Sequence, residues 1–388
     1  MSKAIYVAAT CFQLITDLNI RCNMQGPAGD LIINAESVPD AHDLAERLKK
    51  YNIFDNIFIF KGYDSSFKSV FNGKNTIYSY LKLVVSKHWG KVNLNDFLEG
   101  KKEINLSDYE EGFCFNKRYC DIFRAYGIKI NIIDEGLGSY LKTYIKDIKD
   151  INKFYLYVPC LADYYTEYKD RIIKVVAIDS KKMQFKNLLN NIFNYKNIYI
   201  DDNAIVFLDQ PYLQRPRLLK RVSSFIPKIN KIRYANRYWI EEDKLTFTCN
   251  VIKSLAKEET VYLKPHPRDK KYQLELYKKL QIDLFSSTTV PWEIILLNIS
   301  EKNIALLSFD STATLSLAMY FNGIDIKYKS FLLYRLYFES RGLPTPDRYK
   351  RLDNIVEKLK LKSKKVFLIR NNEELINIIN SKVGRLEK

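Results

Sequence analysis

The chain has 388 residues, of which 47% are hydrophobic and 28% charged, which is close to ordinary globular usage and excludes disorder as the default for any long stretch. This length exceeds the size at which one hydrophobic core usually stops growing, so we predict two domains. Lys and Arg number 62 against 45 Asp and Glu, and the formal charge of +17 suits a nucleic acid, an anionic membrane face or a phosphorylated substrate.

Short apolar runs alternate with helical patterns along the chain, and this alternation predicts an α/β fold with parallel sheets covered on both faces. In the first half, strands are predicted at residues 4–9, 31–35, 56–60, 112–115, 129–133 and 155–159, with helices such as 41–51 between them. In the second half, strands are predicted at residues 204–208, 261–264, 304–308 and 365–369.

The pattern of the first sheet stops near residue 180, and residues 181–196 look like a helix without a partner strand. We therefore predict domains at residues 1–180 and 181–388, with a ligand site in the cleft between them. Because ligands bind at the carboxyl ends of parallel strands, the residues directly after each apolar run are the candidates for chemistry.

The cysteines form no C-x-x-C pair and no cluster with histidine, so they indicate neither a zinc site nor a disulfide framework. They are expected to be reduced and mostly buried. The apolar run at residues 4–9 is too short for a signal sequence or a membrane-spanning helix, so a cytoplasmic location is expected.

Two acids and a glycine follow the strand predicted at residues 129–133. Asp134 and Glu135 precede Gly136, which allows a sharp turn and the close approach of a ligand. A carboxylate at this position can act as a general base, or it can belong to an ordinary helix N-terminus.

A histidine between two prolines follows the strand predicted at residues 261–264. The prolines on both sides of His266 restrict the backbone, and Lys264 and Arg268 beside it are expected to form a cationic rim suited to phosphate. The alternative is a rigid surface turn.

Paired hydroxyls follow the strand predicted at residues 304–308. Ser311 and Thr312 open a helix that is expected to end near Tyr320. Such hydroxyls and free N–H groups bind phosphate, although the same residues also serve as plain N-caps. Weaker candidates follow two other strands, at residues 10–13 and at Gln210.

No G-x-x-x-x-G-K-[ST], G-x-G-x-x-G or H-E-x-x-H motif occurs, which excludes P-loop NTPases, the usual dinucleotide dehydrogenases and zinc proteases. No D-x-D follows a strand in the way that holds a metal ion on a sugar nucleotide.

Taken in chain order, the acid-acid-Gly, His-Pro and Ser-Thr motifs resemble the D/E-D/E-G, H-P and S/T-S/T motifs of bacterial sialyltransferases. Residues 10–13 and 210–211 are similar to the lipooligosaccharide branch, glycosyltransferase family 52. The resemblance implies a GT-B fold, in which two Rossmann-like domains face a central cleft. It also implies inverting transfer of sialic acid from CMP-sialic acid, without a metal ion or other cofactor, to a galactose-type sugar of lipooligosaccharide or capsule.

The resemblance implies a role for each site residue. Asp134 is assigned as the general base with Glu135 in reserve, and His266 is assigned to the leaving phosphate. Ser311 and Thr312 assist His266. The remaining candidates are Pro267, Lys264, Arg268 and Gln210 on the donor side, and Thr10, Gln13 and Gly136 on the acceptor side.

The expected partners are CMP-sialic acid, a lipid-linked glycan, the anionic inner membrane face and a second copy of the chain. Residues 328–338 interleave large apolar side chains with Lys329 and Arg335, and they are expected to form either a membrane-surface segment or a core helix. Two rival functions stay open, which are a GT-B transferase with another donor such as CDP-glycerol and a basic nucleic-acid-binding protein. No nucleic-acid-binding motif is present, so a nucleic acid is not among the expected partners.

Overall fold

The computed structural model describes residues 3–61, 94–100, 103–212, 233–257, 259–266, 271–279, 282–285, 289–371 and 373–375. The chain forms two compact units. The first comprises Met1–Lys196, Thr289–Asn298 and Met319–Ile324, and the second comprises Asn197–Thr288, Ile299–Ala318 and Asp325–Lys388.

The strands are β1 (Lys3–Ala8), β2 (Gly29–Asn34), β3 (Ile57–Phe60), β4 (Tyr109–Cys114), β5 (Lys129–Ile133), β6 (Ile151–Leu156), β7 (Ile172–Lys174), β8 (Ile178–Asp179), β9 (Ala204–Leu208), β10 (Val261–Lys264), β11 (Asp283–Leu284), β12 (Lys302–Ser308), β13 (Phe321–Asn322), β14 (Ile326–Leu332) and β15 (Val366–Leu368). The α-helices are α1 (Cys11–Asn23), α2 (Ala41–Lys49), α3 (Lys117–Ala125), α4 (Met183–Ile192), α5 (Arg233–Leu255), α6 (Lys271–Lys279), α7 (Trp292–Asn298), α8 (Ser316–Met319), α9 (Tyr334–Ser340) and α10 (Asp347–Ser363).

The first unit contains a seven-stranded parallel sheet with the strand order β3-β2-β1-β4-β5-β6-β7. The order reverses between β1 and β4, and in doubly wound sheets this reversal is where ligands bind. A separate pair of short strands, β8 and β13, also belongs to this unit. The first unit is therefore Rossmann-like, as predicted.

The second unit repeats this arrangement with six parallel strands in the order β11-β10-β9-β12-β14-β15. Here the order reverses between β9 and β12. Both units thus carry the doubly wound strand order, and the predicted α/β class with two Rossmann-like domains is confirmed.

The strands are apolar because both faces of each sheet are covered. All six residues of β2 and all five residues of β9 are buried. At the start of β2, a Cβ atom on Gly29 would lie 1.8 Å from the carbonyl oxygen of Ala4, so only glycine lets the two central strands pair there.

The division between the units falls at residues 196 and 197 rather than at 180 and 181. Helix α4 packs with the first unit, because Phe185, Leu189 and Ile192 are buried and Arg47 Nε donates a hydrogen bond of 2.5 Å to the Ile192 carbonyl. Two segments from the second half of the sequence also join the first unit. The assignment of acceptor and donor roles to the two domains stays a prediction.

Most predicted strands match, and the differences have local causes. The strand predicted at residues 155–159 lies at Ile151–Leu156, because Pro159 opens a 3-10 helix, Pro159–Leu161. Residues 328–338 are neither a membrane-surface segment nor one core helix. They run from β14 into α9, and Phe331, Leu333 and Phe338 are buried in the core of the second unit.

The cysteines are free, and three of them, Cys114, Cys120 and Cys249, are buried. The expectation of mostly buried thiols is wrong for Cys22 and Cys160, which are exposed.

Candidate functional site

The first unit holds a polar cluster at the carboxyl ends of β1, β5 and β6. Thr10 is the N-cap of α1, and its Oγ1 accepts a hydrogen bond of 3.1 Å from Gln13 N–H. The buried side chain of Gln13 joins two loops. Its Oε1 accepts from Ala9 N–H at 2.8 Å, and its Nε2 donates to Glu135 Oε2 at 2.6 Å.

Asp134 directly follows β5 and is 0% exposed. Gly136 N–H donates to its Oδ1 at 2.9 Å, and Tyr157 N–H donates to its Oδ2 at 3.1 Å. Ser139 Oγ lies 3.0 Å from Oδ1, and the Tyr140 hydroxyl donates to Oδ2. Burial raises the pKa of Asp134 to about 6, although these hydrogen bonds act in the opposite direction. Both oxygens are therefore occupied by protein donors.

Glu135 is the carboxylate of this motif that reaches the surface, because its side chain is only half-buried. Its backbone N–H donates to Ser139 Oγ at 3.1 Å. Gly136 has a φ of 119°, a conformation that L-residues rarely adopt, and it starts the 3-10 helix Leu137–Tyr140. The turn therefore buries one acid and leaves the next one accessible.

Helix α1 carries a row of buried polar residues that the sequence analysis did not single out. Thr16 Oγ1 donates to the Asp134 carbonyl at 3.3 Å, and Asn19 Nδ2 donates to the Val176 carbonyl at 2.8 Å. Asp17, in the same row, is also buried, and among the described residues neither of its carboxylate oxygens has a hydrogen-bond partner. Burial raises the pKa of Asp17 well above its usual range. The sequence signal that could have identified these residues is the presence of polar residues inside an otherwise apolar helix.

Tyr320 belongs to the first unit although it lies far along the chain. Its ring centroid is 4.4 Å from that of Phe12 and 5.0 Å from that of Tyr157. Burial, together with the negative charges of Asp134, Glu293 and Glu135, raises the pKa of Tyr320 well above its usual range. No sequence signal links Tyr320 to the cluster, because only tertiary packing brings it there.

The second unit places its predicted residues after β9, β10 and β12. Asp209 N–H donates to the Lys264 carbonyl at 3.1 Å, which joins the loops after β9 and β10. Gln273, from α6, donates through Nε2 to Asp209 Oδ2 at 2.7 Å and to the Gln210 carbonyl at 3.0 Å. Gln210 itself is half-buried.

His266 lies two residues after β10 and is half-buried. Lys264 is 5% exposed, and its assignment to the donor side stays a prediction. As the last residue of β10, Lys264 takes a position that the sheet covers. Pro267 and Arg268 lie outside the described residues.

The hydroxyl residues after β12 form a connected loop. Ser311 is the N-cap of the 3-10 helix Thr312–Leu315, and its Oγ accepts from Ala313 N–H at 3.3 Å. Ser311 N–H in turn donates to Ser308 Oγ at 3.1 Å, and Thr312 is half-buried. Ser311 therefore serves as an N-cap and also lies after the end of a strand, as predicted.

A charged cluster beside this loop was not predicted. Arg348, from α10, donates to Asp310 Oδ2 at 2.6 Å, and its guanidinium carbon is 4.4 Å from the centre of the Tyr349 ring. Tyr349 donates to the same oxygen at 2.7 Å. Lys244, from α5, is buried and lies 2.8 Å from Glu241 Oε1. This cluster fixes Asp310, the residue directly before Ser311.

The predicted residues thus fall into two sets, each at the carboxyl ends of the central strands of its own unit. In the part of the chain that the structure describes, no group of three or more His, Cys, Asp or Glu side chains is arranged to hold a metal ion. No described helix combines the length and apolar character needed to cross a membrane.

Comparison with known proteins gives structural likeness only. No protein-family model and no curated protein sequence matches the chain. Among solved structures, UGT89C1 of Arabidopsis thaliana, in complex with UDP-L-rhamnose, is 10% identical over 100% of this chain and 91% of that chain, with a TM-score of 0.42. LpCGTa in complex with UDP is 9% identical over 100% and 91% of the two chains, with a TM-score of 0.44. A Listeria monocytogenes protein described as a UDP-N-acetylglucosamine 2-epimerase is 11% identical over 99% and 88%, with a TM-score of 0.43. The assignment of function therefore rests on the site residues.

Proposed function

We propose that the chain is an inverting, metal-independent GT-B glycosyltransferase that transfers sialic acid from CMP-sialic acid to a hydroxyl of a galactose-type sugar. The observation that carries this proposal is that each unit has its own set of polar residues at the strand ends of a doubly wound sheet. An accessible carboxylate, Glu135, follows β5 in one unit, and His266 and Ser311 follow β10 and β12 in the other. A glycosyl transfer needs a base for the acceptor and a stabilised leaving group for the donor.

We assign the general base to Glu135 rather than to Asp134. A base must come within hydrogen-bond reach of the hydroxyl whose proton it takes. Asp134 is 0% exposed and its oxygens already accept from Gly136, Tyr157 and Tyr140, so it holds the turn in shape. Glu135 is half-buried and is oriented by Gln13. This reverses the order in which the resemblance ranked the two acids.

In the proposed reaction, Glu135 takes the proton of the acceptor hydroxyl while that oxygen forms a bond to the anomeric carbon of sialic acid. The bond between the anomeric carbon and the phosphate oxygen of CMP breaks, and CMP leaves with the electron pair. Because attack comes from the face opposite the leaving group, the configuration inverts. The carboxylate also favours the positive charge that develops on the sugar.

His266, Ser311 and Thr312 are assigned to the leaving phosphate. Negative charge grows on this phosphate in the transition state, and groups already held in place stabilise it without reorganisation. The cluster of Arg348 and Asp310 supports this role, because it anchors the residue that precedes Ser311. A lipid-linked acceptor, contact with an anionic membrane and a homodimer stay predictions.

The test is release of CMP from CMP-sialic acid by the purified chain, with lactose as acceptor and EDTA present. We expect turnover by the wild type and its loss in Glu135→Gln and His266→Ala. Tyr126→Phe, which alters an exposed tyrosine outside both sets of site residues, is the control and should retain turnover. Absence of CMP release from CMP-sialic acid, together with release of CMP from CDP-glycerol or of a nucleotide from another sugar donor, would replace the proposed donor and keep the phosphate site.

A further inference from the structure

The side chain of Tyr320 is fully buried and carries a polar hydroxyl. Tyr320 is 1% exposed, and among the residues that the structure describes no group hydrogen-bonds its oxygen. Two other fully buried tyrosines, by contrast, are hydrogen-bonded. Tyr334 donates to Asp353 at 2.7 Å, and Tyr164 donates to the Ser139 carbonyl at 2.5 Å. A buried hydroxyl without a partner costs free energy, so its retention calls for an explanation.

The surroundings of Tyr320 are acidic. The carboxyl groups of Asp134, Glu293 and Glu135 all act electrostatically on its phenol, and their charges together with burial keep the hydroxyl protonated. Asp134 is fully engaged by protein donors, whereas Glu135 is half-buried at the edge of the cluster. Among the described residues, this region therefore offers carboxylates as hydrogen-bond acceptors and the Tyr320 O–H as a hydrogen-bond donor.

This combination matches a sugar hydroxyl, which donates one hydrogen bond and accepts others. A carboxylate accepts the hydrogen of the sugar hydroxyl, and a phenol donates to its oxygen. The position also fits, since the cluster lies where the strands β1, β5 and β6 end, the edge at which parallel sheets bind ligands.

Phe12 packs against Tyr320. Its ring lies over that of Tyr320 with 4.4 Å between centroids, and Phe12 itself is only half-buried in the first turn of α1. Rotation of a partly exposed aromatic side chain is a fast, low-cost motion. A ligand beside Glu135 can therefore reach the hydroxyl by displacing the Phe12 ring.

We propose that Tyr320 is a ligand-binding residue whose hydroxyl donates a hydrogen bond to the acceptor saccharide beside Glu135. The inference rests on the proposed function for the identity of the saccharide. Within the described part of the chain the hydroxyl has no partner, and with ligand it gains one. Tyr320 thus lowers the stability of the resting protein in exchange for affinity.

Tyr320→Phe removes only the oxygen and leaves the packed ring in place. We expect lactose to bind this variant at least tenfold more weakly than the wild type, as measured by a ligand-observed NMR titration, while the Tm stays equal or rises. The matched control is Tyr334→Phe, which deletes an equally buried hydroxyl that has a partner. Its Tm should fall while its affinity for lactose stays unchanged.

Equal affinities of wild type and Tyr320→Phe for lactose would overturn the inference, and so would an absence of lactose binding by the wild type. A fall in Tm like that of Tyr334→Phe would also overturn it, because it would reveal a structural partner. Release of CMP from CMP-sialic acid by the same samples tests the proposed function separately. If Tyr320→Phe loses lactose binding and the wild type shows no turnover, the proposed donor is refuted and the inference on Tyr320 stands. If the wild type turns over CMP-sialic acid and Tyr320→Phe binds lactose as the wild type does, the proposed function stands and the inference is refuted.

Discussion

Gln13 Nε2 lies 2.6 Å from Glu135 Oε2, so one hydrogen bond joins the first turn of α1 to the loop after β5 across 122 positions of sequence. The Gln13 side chain is itself fixed by Ala9 N–H at 2.8 Å. A donor held in this way orients the carboxylate. The order of the Glu135 side chain therefore depends on a residue of helix α1.

We expect Glu135→Gln to lower turnover by about 10²–10⁴-fold, the usual contribution of a general base. Gln13→Ala should lower turnover by about tenfold, because Glu135 keeps its charge and loses its orientation. Initial rates of CMP release measure both effects. Turnover of Glu135→Gln at the wild-type rate would return the role of base to Asp134.

Asp134 is expected to act through stability. Asp134→Ala leaves the buried donors of Gly136, Tyr157 and Tyr140 without an acceptor. Each such group costs about 1–3 kcal/mol, so the urea midpoint of unfolding should fall strongly. The same measurement on Glu135→Gln should show little change. If Asp134→Ala unfolds at the wild-type urea concentration, the turn does not depend on this carboxylate.

The buried acids make stability depend on pH. The folded-state pKa of Asp134 is raised to about 6 from 3.8, and burial also raises the pKa of Asp17. Groups with raised pKa values bind more protons when folded, so the free energy of unfolding falls as pH rises from about 4 through 6. Asp17→Asn cannot ionise and should gain Tm relative to the wild type at pH 7.5.

At pH 3.5 the Tm difference should shrink, since Asp17 is then protonated in the folded state and largely protonated in the unfolded state. Thermal unfolding at the two pH values gives the comparison. An equal Tm difference at both pH values would mean that ionisation of Asp17 does not contribute.

Gly136→Ala tests the turn itself. The φ of 119° at this position costs an L-residue about 1–3 kcal/mol, so the variant should lose stability or distort the loop that carries Glu135. Turnover should fall with it. The control is Gly127→Ala, which also has a positive φ, of 70°, with no atom within 4 Å of an added Cβ. A similar loss of turnover in both variants would indicate general destabilisation.

Removal of metal ions should leave turnover unchanged. The proposed chemistry uses His266, Ser311 and Thr312 where a cation would otherwise act on the leaving phosphate. Rates with EDTA and with added Mg²⁺ or Mn²⁺ should agree within about twofold, whereas His266→Ala should be slowed under all three conditions. A rate that depends on Mn²⁺ would refute the metal-independent mechanism.

The sequence predicted the regular parts of the fold closely. Strands β5, β9 and β10 match their predicted ranges residue for residue, because each is a short apolar run bounded by polar or turn-forming residues. Strand β14 was mistaken for part of a helix or a membrane-surface segment. Its mixture of lysine and aromatic residues fits both the two-residue period of a strand and the 3.6-residue period of a helix. The two-residue strands β8 and β13 carry no detectable pattern.

The candidate site was predicted in part. Thr10, Gln13 and Glu135 come together because carboxyl ends of neighbouring parallel strands share an edge, which is a rule that sequence can use. Tyr320, Gln273 and Arg348 were missed because their positions depend on packing between distant segments. The burial of Lys264 was not foreseen, because proximity to a proline-bounded loop suggests exposure while its place at the end of β10 buries it.

The first unit draws α7 and β13 from the second half of the gene, and this limits how the protein can be recombined. A fragment that stops at residue 196 would lack Tyr320 and the strand that pairs with β8, leaving Phe12, Tyr157 and Ile178 uncovered. Exchange of one half with that of another enzyme therefore cannot be made at a single crossover. A working chimera has to carry residues 289–298 and 319–324 along with the first 196 residues. These two short segments have to be inserted separately into the second half of the chimeric gene.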